Sequence, residues 1–310
     1  MRIVSVMNYK GGVGKTSLTS NLGAELAWRG FKVLLLDMDP QTSLTFSFFS
    51  PEEWEKDLAK DRTIKDWFSG SPPPLGNLIV EPTRSASILA GRGCLHLIAS
   101  HLGLVNVDLE LATGMGGATL TQVKQKYVSV HRRLADGLAQ IPQGAYDIIL
   151  IDCPPNFNIV TKTAIVASQY VVIPAKPDYL STLGIDYLRR SVAGLIKDFN
   201  EFAGMAEGAP VSKINPLFAG VVFTMIQEYN GQPIAALRPF INQTRNLGVP
   251  VFDSYIKENK TLFADAPQYG VPVVLRQRAN KTQQSVIDGL ESFTTEFSTK
   301  LGLMAPGMTV

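Results

Sequence analysis

The chain begins with a short apolar run, a glycine-rich loop and a stretch with apolar residues at helical spacing. The run from Arg2 to Met7 is predicted to be a buried strand, and Lys10 to Gly14 a loop. The stretch from Lys15 to Arg29 has leucines on one face until Gly30, which is typical of a helix and its end. The first elements are therefore a strand, a loop and a helix, in that order.

The same alternation continues along the chain. Two further apolar runs end in acidic residues, Phe31 to Leu36 before Asp37 and Tyr146 to Ile151 before Asp152. Other strands are predicted at Tyr170 to Pro174, Leu217 to Phe223 and Pro250 to Phe252. Other helices are predicted at Val128 to Ile141, Gly184 to Phe199, Ala235 to Asn246 and Gln283 to Leu301. Because alternating strands and helices need crossover connections, we expect an α/β fold: a doubly wound, mostly parallel sheet with helices on both faces.

The composition fits an ordinary globular protein. With 45% apolar and 18% charged residues, it excludes a wholly disordered or collagen-like chain. We expect residues 1–310 to form a single domain, with a poorly defined excursion at residues 49–93. Two cysteines, Cys94 and Cys153, are too few for a disulfide scaffold or a four-ligand zinc site and favour a cytoplasmic location. No apolar run approaches the ~20 residues of a spanning helix, so we expect no membrane span.

The loop after the first strand has the groups that bind phosphate. The standard P-loop pattern requires glycine at position 9, where this chain has Tyr9, so the motif fails by one residue. The remaining loop residues are Lys10, Gly11, Gly12, Val13, Gly14, Lys15, Thr16 and Ser17. Inward-turned N–H groups, the helix N-terminus and the Lys15 charge suit a nucleotide's phosphates, and the Thr16 hydroxyl can ligate Mg²⁺. A glycine-rich turn with two solvated lysines is the alternative.

Lys10 is not needed to hold phosphates that Lys15 and the backbone amides already bind. With this second lysine, the loop resembles that of the ParA/MinD family of deviant Walker A ATPases, which are P-loop NTPases. Other segments are similar to the family, and most closely to its ParA/Soj partition branch: Asp37 to Gln41, Leu95 to Ala99, Tyr146 to Pro155, Thr182 to Tyr187, Gly220 to Met225 and Val251 to Pro272. The resemblance covers nearly the whole chain.

The resemblance implies roles for single residues. Lys10 would reach the partner's phosphates across a nucleotide-bound dimer, and Asp39 would orient the attacking water, so both would be catalytic. Thr16, Asp37 and Asp152 would hold Mg²⁺ or its waters. The alternative is a helix-capping role for Asp37 and Asp152 and a plain loop carboxylate for Asp39.

The resemblance also implies that Thr224, Met225 and Pro267 line the adenine of ATP, although such residues beside strands are often simply core. Positive charge is concentrated in Arg238 to Lys281, where seven basic residues face three acidic ones, a net charge of +4. Candidate contacts to the DNA backbone are Arg245, Arg276, Arg278 and Lys281. The alternative is an ordinary solvated surface.

The function implied is that of a Mg²⁺-dependent ATPase that dimerises with ATP and binds DNA non-specifically. It would position or segregate DNA or another cargo, remain associated with the nucleoid, and be stimulated by a ParB-type or other cargo-bound activator. A membrane-cycling ATPase of MinD type is the alternative. It normally needs a basic amphipathic C-terminal helix, whereas Leu301 to Val310 contains no lysine or arginine. A carrier of the nitrogenase iron protein type would need cluster-ligating cysteines in a paired motif.

Overall fold

Six parallel strands form the central sheet, and most of their residues are buried. The computed structural model describes residues 1–70, 73–205, 211–277 and 280–304, without the side chains of residues 265 and 266. The strands are β1 Arg2–Val6, β2 Lys32–Asp37, β3 Cys94–Ile98, β4 Ile148–Asp152, β5 Tyr170–Ala175 and β6 Leu217–Phe223. They are ordered β3-β2-β4-β1-β5-β6, and every pairing is parallel. Continuous apolar runs such as that of β4 are required because helices cover both faces.

Helices pack on both sides of this sheet, which confirms the predicted fold class. They are α1 Lys15–Trp28, α2 Ser43–Phe46, α3 Pro51–Asp57, α4 Ile64–Phe68, α5 Thr83–Leu89, α6 Leu104–Gly114, α7 Leu120–Ala139, α8 Ile159–Ala167, α9 Tyr179–Ala203, α10 Arg238–Arg245, α11 Lys260–Tyr269 and α12 Lys281–Leu301. One apolar core joins α6 to α9 to the sheet, and the other joins α1 and α12 to its opposite face. A two-residue hairpin, β7 Glu228–Tyr229 with β8 Gln232–Pro233, lies outside the sheet. Within the described ranges, no helix has the length and apolar character needed to cross a bilayer.

The structure differs from the sequence-based expectation in several elements, and helices α2 to α6, α8 and α11 were not predicted. The edge strand β3 was not predicted, and the predicted strand at Pro250 to Phe252 makes only a single bridge, from Val251 to Val221. Helix α7 begins eight residues earlier than predicted, because the Thr119 side chain caps it by accepting a hydrogen bond from the Gln122 amide. Residues 49–93 contain α3 to α5 and lie against the sheet edge, where Val80 pairs with Leu97 of β3.

The carboxyl ends of β1, β2 and β4 meet at one edge of the sheet. Asp37 at the end of β2 is in register with Asp152 at the end of β4, and Val6 of β1 is in register with Asp152 on the other side. The glycine-rich loop leaves β1 at this edge and leads into α1. Loops at the carboxyl ends of parallel strands form the usual ligand crevice of such sheets, so the two aspartates and the loop share one site.

Candidate nucleotide-binding site

The loop between β1 and α1 is held open by backbone geometry that favours glycine. Gly12 and Gly14 have φ of 68° and 76°, in the left-handed region, and α1 begins immediately after Gly14. From the end of β6, the Thr224 hydroxyl donates a 2.8 Å hydrogen bond to the Val13 carbonyl. The loop is thus tied to the sheet from both sides and directs a helix N-terminus toward the crevice, which is the arrangement that binds phosphate.

Lys15 is the buried cation of this loop. Its side chain is almost fully buried, and its Nζ lies 3.4 Å from the Lys10 carbonyl oxygen. Burial lowers the pKa of Lys15, while the negative charges of Asp152 and Asp39 act in the opposite direction. A partly desolvated ammonium group beside a ring of N–H donors suits a polyphosphate, because both would be satisfied by the same anion.

Asp37 and Asp152 are both fully buried, and they differ in how their oxygens are used. Asp152 accepts hydrogen bonds from the hydroxyls of Thr16, at 2.7 Å, and Thr19, at 3.2 Å. Asp37 accepts three hydrogen bonds, from the Asp39 amide and from the amide and hydroxyl of Thr45. Burial raises the pKa of Asp37 to about 8, helped by the charge of Asp152, and burial raises the pKa of Asp152 to about 7.

These residues fit a magnesium ion that is shared with a nucleotide. Thr16 and Asp152 are hydrogen-bonded to each other, so both oxygens can face one hard cation, and the cation would offset the burial of charge. Asp37 has three of its roughly four acceptor sites filled, which suits it to ordering the turn around Asp39 and Thr45. No cluster of three or more acidic, histidine or cysteine ligands occurs in the described part of the chain. Phosphate oxygens and water would therefore complete the coordination, as is usual for Mg²⁺.

Asp39 lies at the rim of the crevice with its backbone firmly held. Its amide donates to Asp37, its carbonyl accepts a 2.8 Å hydrogen bond from the Ser100 hydroxyl, and its Oδ1 accepts a 2.9 Å hydrogen bond from the Gln41 amide. The side chain is 8% exposed. A carboxylate on a backbone fixed at both ends can hold a water in one orientation, which is the role expected for Asp39.

Lys10 is paired at the protein surface and is not buried as Lys15 is. Its Nζ lies 2.6 Å from Oδ2 of Asp178, the residue whose Oδ1 caps α9 by accepting a hydrogen bond from the Ser181 amide. Both partners of this ion pair are partly exposed. The two lysines of the loop therefore differ in position: Lys15 is buried with the phosphate-binding amides, and Lys10 lies at the surface next to the start of α9.

A cavity of about 380 Å³ adjoins the loop, and Lys10 is not among its lining residues. Thr224 and Met225 line it, and Met225 has a φ of 55°, which turns the chain sharply after β6. Pro267 is not among the lining residues and is exposed. Lining residues that the sequence did not reveal include Lys176, Ile256, Glu258, Asn259 and Phe263. A local signal existed for one of them, since Asn259 caps α11 by accepting from the Leu262 amide.

The candidate DNA contacts do not form one continuous stripe. Arg245 is exposed on α10, 3.9 Å from Asp253, whose amide is hydrogen-bonded to Glu296 in the last third of α12. Lys281 is exposed at the first residue of α12, so about 20 Å of helix separates it from Glu296. Arg276 stacks on the ring of Tyr269 at 4.3 Å. Arg278 lies outside the described residues.

Comparison with known proteins gives consistent matches. A family model described as an AAA domain matches residues 1–203. The sporulation initiation inhibitor protein Soj of Bacillus subtilis strain 168 is 26% identical over 287 residues, which cover 93% of this chain and 96% of Soj. The chromosome partitioning protein ParA of Caulobacter vibrioides strain NA1000 / CB15N is 28% identical over 276 residues, 89% of this chain and 87% of that protein.

Solved structures share the fold at lower identity. The ATP complex of an McdA variant from Cyanothece has a TM-score of 0.71 at 19% identity, covering 100% of this chain and 98% of that one. The cobyrinic acid a,c-diamide synthase of Mycobacterium smegmatis, with a bound ATP analogue and magnesium, has a TM-score of 0.62 at 21% identity, covering 87% and 93%. At these identities the likeness concerns the fold, and the same sheet therefore carries nucleotide sites in other proteins.

Proposed function

The chain belongs to the AAA domain family and to the ParA/Soj branch of the ParA/MinD ATPases, and we propose that it is an ATP-switched positioning protein. The protein is an ATPase with a P-loop fold. In the proposed cycle, ATP and Mg²⁺ bind at the loop and drive formation of a homodimer. The dimer binds DNA non-specifically on the nucleoid, and a ParB-type or other cargo-bound activator triggers hydrolysis and release. The cargo is DNA or another intracellular body.

The position of Lys10 is the observation that carries this proposal. A partly exposed ammonium group that is paired with a partly exposed carboxylate is available to a second molecule. Large apolar side chains are exposed beside it on the first turns of α9: Tyr179, Leu180, Leu183 and Tyr187. Tyr187 also packs against Tyr9 before the loop, with ring centroids 5.0 Å apart and the ring planes tilted by 54°. An apolar patch of this kind on a globular protein indicates an interface, and here it adjoins the nucleotide.

This arrangement couples the nucleotide to the dimer. Within one chain, the Lys10 ammonium is neutralised by Asp178. In the proposed dimer, the ammonium instead neutralises phosphate charge in the opposite subunit, where charge develops during transfer. Asp39, which follows β2 at the same edge of the sheet, then orients water, while Thr16 and Asp152 hold the metal. Mg²⁺ supplies charge neutralisation at the β- and γ-phosphates when it is bound.

Non-specific DNA binding by the dimer would use exposed basic side chains without base readout. The half-buried Arg276 and the exposed Lys281 flank the start of α12, close to α11, whose Lys260 and Phe263 line the cavity beside the loop. Dimerisation would double each such patch, which strengthens a purely electrostatic contact. Arg245 on α10 lies beside the last third of α12 and would make a separate contact.

The experiment compares the parent with Lys10→Ala and, as a matched control, Lys32→Ala at the opposite edge of the sheet. Sedimentation velocity measures dimer formation in the presence of ATP and Mg²⁺ and, separately, in the absence of nucleotide. Calorimetry measures ATP affinity. We expect Lys10→Ala to bind ATP and to lose the dimer, while Lys32→Ala behaves as the parent. Binding of a duplex of arbitrary sequence should need ATP and weaken with salt in the parent. A parent that stays monomeric with ATP, or a Lys10→Ala variant that dimerises normally, contradicts the proposal.

A further inference from the structure

Helix α6 carries apolar side chains on the face that points to solvent. Leu102, directly before the helix, and Val105 and Leu109 within it are 58%, 63% and 71% exposed. Their spacing of three and four residues places them on one side of the helix, and we name them the α6 stripe. Alternate positions of the same helix, Leu104 and Leu111, are buried in the core.

Helix α6 thus carries large apolar side chains on its exposed side as well as on its buried side. A surface helix of a globular protein normally has a polar outer face, and an all-apolar helix is normally buried. The inner face already accounts for the contribution of α6 to folding, because Leu104, Val107 and Leu111 pack into the core. The three residues of the α6 stripe contribute nothing to that core, so the stripe has the composition of an interface for another molecule.

The charges around the stripe select the kind of molecule. No lysine or arginine occurs between residues 102 and 123, whereas Asp108 and Glu110 both lie on α6. Asp108 is half-buried and accepts a 3.1 Å hydrogen bond from the Val160 amide at the start of α8, whereas Glu110 is exposed. Lys65, which lies beside Gly103, is paired with Asp66 at 3.3 Å. The stripe is therefore apolar with acidic flanks, and it complements an amphipathic helix with basic flanks.

The same surface connects directly to the catalytic edge. A cavity of about 220 Å³ lies between Val105 and Asp108 of α6, Pro40 and Asn158. Pro40 is the residue after Asp39. Ser100, two residues before the stripe, donates through its hydroxyl to the Asp39 carbonyl at 2.8 Å.

The Ser100 amide makes a second link to this edge. It donates a 3.0 Å hydrogen bond to the Thr45 hydroxyl, and that hydroxyl is in turn bonded to Asp37 at 2.7 Å. Leu102 is thus connected to the backbone of Asp39 through two residues, His101 and Ser100. Contact at this surface can therefore move the carboxylate that is expected to orient water.

We propose that the α6 stripe is the docking surface for a basic amphipathic helix of the protein that activates hydrolysis. The inference rests on the proposed function, of which it names one partner site. Docking places apolar side chains on Leu102, Val105 and Leu109, and basic side chains on Asp108 and Glu110. Ser100 acts as a positioning residue that transmits the contact to Asp39.

The test uses a synthetic probe of about 18 residues, five helical turns, with leucines at spacings of three and four and lysines elsewhere. Its matched counterpart has glutamate in place of every lysine. Fluorescence anisotropy of the labelled probe measures binding to the parent, to Leu109→Asp and to Leu120→Asp. Leu120 is 70% exposed on α7 and lies outside the stripe, so this variant controls for the loss of an exposed leucine.

We expect the basic probe to bind the parent and Leu120→Asp alike, and Leu109→Asp at least about tenfold more weakly, as for a central interface residue. The glutamate probe should not bind. Equal binding of both probes, or unchanged binding by Leu109→Asp, overturns the docking surface. Loss of the ATP-dependent dimer in Leu109→Asp also overturns it, because the stripe would then contact a second copy of the chain.

Coupling is read from the ratio of ATPase rates with and without the basic probe. We expect stimulation in the parent, and in Ser100→Ala unchanged probe binding with a smaller ratio that Ser100→Thr restores. Full stimulation of Ser100→Ala overturns the positioning role. The basal ATPase and ATP-dependent dimer of the parent are measured without any probe, so a failure of the proposed function is visible separately from a failure of docking.

Discussion

His131 is expected to make the protein lose stability as the pH falls, because its imidazole is buried with only one nitrogen bonded. It lies in α7 and is 1% exposed. Its Nδ1 is 2.8 Å from the Tyr127 carbonyl oxygen, so a neutral ring donates there, and its Nε2 has no partner among the residues described. A second proton on Nε2 would find no acceptor. The pKa of His131 is lowered from 6.5 to about 4, chiefly by burial and also by Lys162, while the hydrogen bond to the Tyr127 carbonyl and the charge of Asp108 act in the opposite direction.

The size of the effect follows from this pKa. One pKa unit corresponds to about 1.4 kcal/mol, so a change from 6.5 in the unfolded chain to about 4 is worth about 3 kcal/mol in full. Between these two values, the unfolded chain binds a proton that the folded chain does not, so the free energy of unfolding rises with pH in this window. Acidification from about pH 7.5 to about pH 5 should remove about 2 kcal/mol, which is a few degrees in melting temperature.

The assay compares melting temperatures over this pH range for the parent, His131→Leu and the less buried control His101→Leu, followed by circular dichroism. The difference between parent and variant removes the contribution of groups that titrate in both proteins. We expect the parent to lose several degrees more than His131→Leu, and His101→Leu to follow the parent more closely. Parallel curves for parent and His131→Leu would refute the reasoning, as would a His131 ring that titrates near pH 6.5 by NMR.

Three further variants test the site and the packing around it. Asp39→Ala should bind ATP normally and release phosphate on the order of 10²-fold more slowly, and a parental rate in a phosphate-release assay would remove Asp39 from the catalytic residues. Lys15→Ala should lose measurable ATP affinity in calorimetry, since the buried ammonium group is absent, and unchanged affinity would contradict the role of Lys15. Gly137→Ala should lower the melting temperature, because its Cβ would lie 2.4 Å from the Trp67 ring, whereas Gly194→Ala, with open space around it, should not.

Much of the fold was predictable because short, contiguous patterns in the sequence specify its buried strands and its phosphate loop. Buried strands such as β4 are unbroken apolar runs, and the loop glycines sit between a strand and a helix. Strand β3 escaped because it is a short edge strand with the polar His96 at its centre, hydrogen-bonded to Tyr146. The first turns of α7 escaped because their residues are mostly exposed and lack an apolar period.

Contacts between residues that are far apart in the chain could not be predicted from the sequence. Lys10 could be singled out from its place in the loop, but its ion pair with Asp178 spans 168 residues. The order of the strands, which places Asp37 beside Asp152, depends on long-range pairing that no local pattern specifies. Pro267 was selected for its resemblance to relatives, while the cavity beside the loop is lined instead by side chains such as Phe263 and Asn259.

Helix α6 shows why the exposure of a side chain carries information that its hydrophobicity does not. No helix was predicted here from the sequence, because the apolar residues at 105, 107, 109 and 111 alternate with polar ones and lack the helical period. The fold buries only the face with Leu104 and Leu111, and it places the other face two residues beyond the Ser100 contact to Asp39. This apolar surface lowers solubility and adds nothing to the core, so binding of a partner is its simplest explanation. Its attachment to the catalytic edge is what makes an activator the partner that fits.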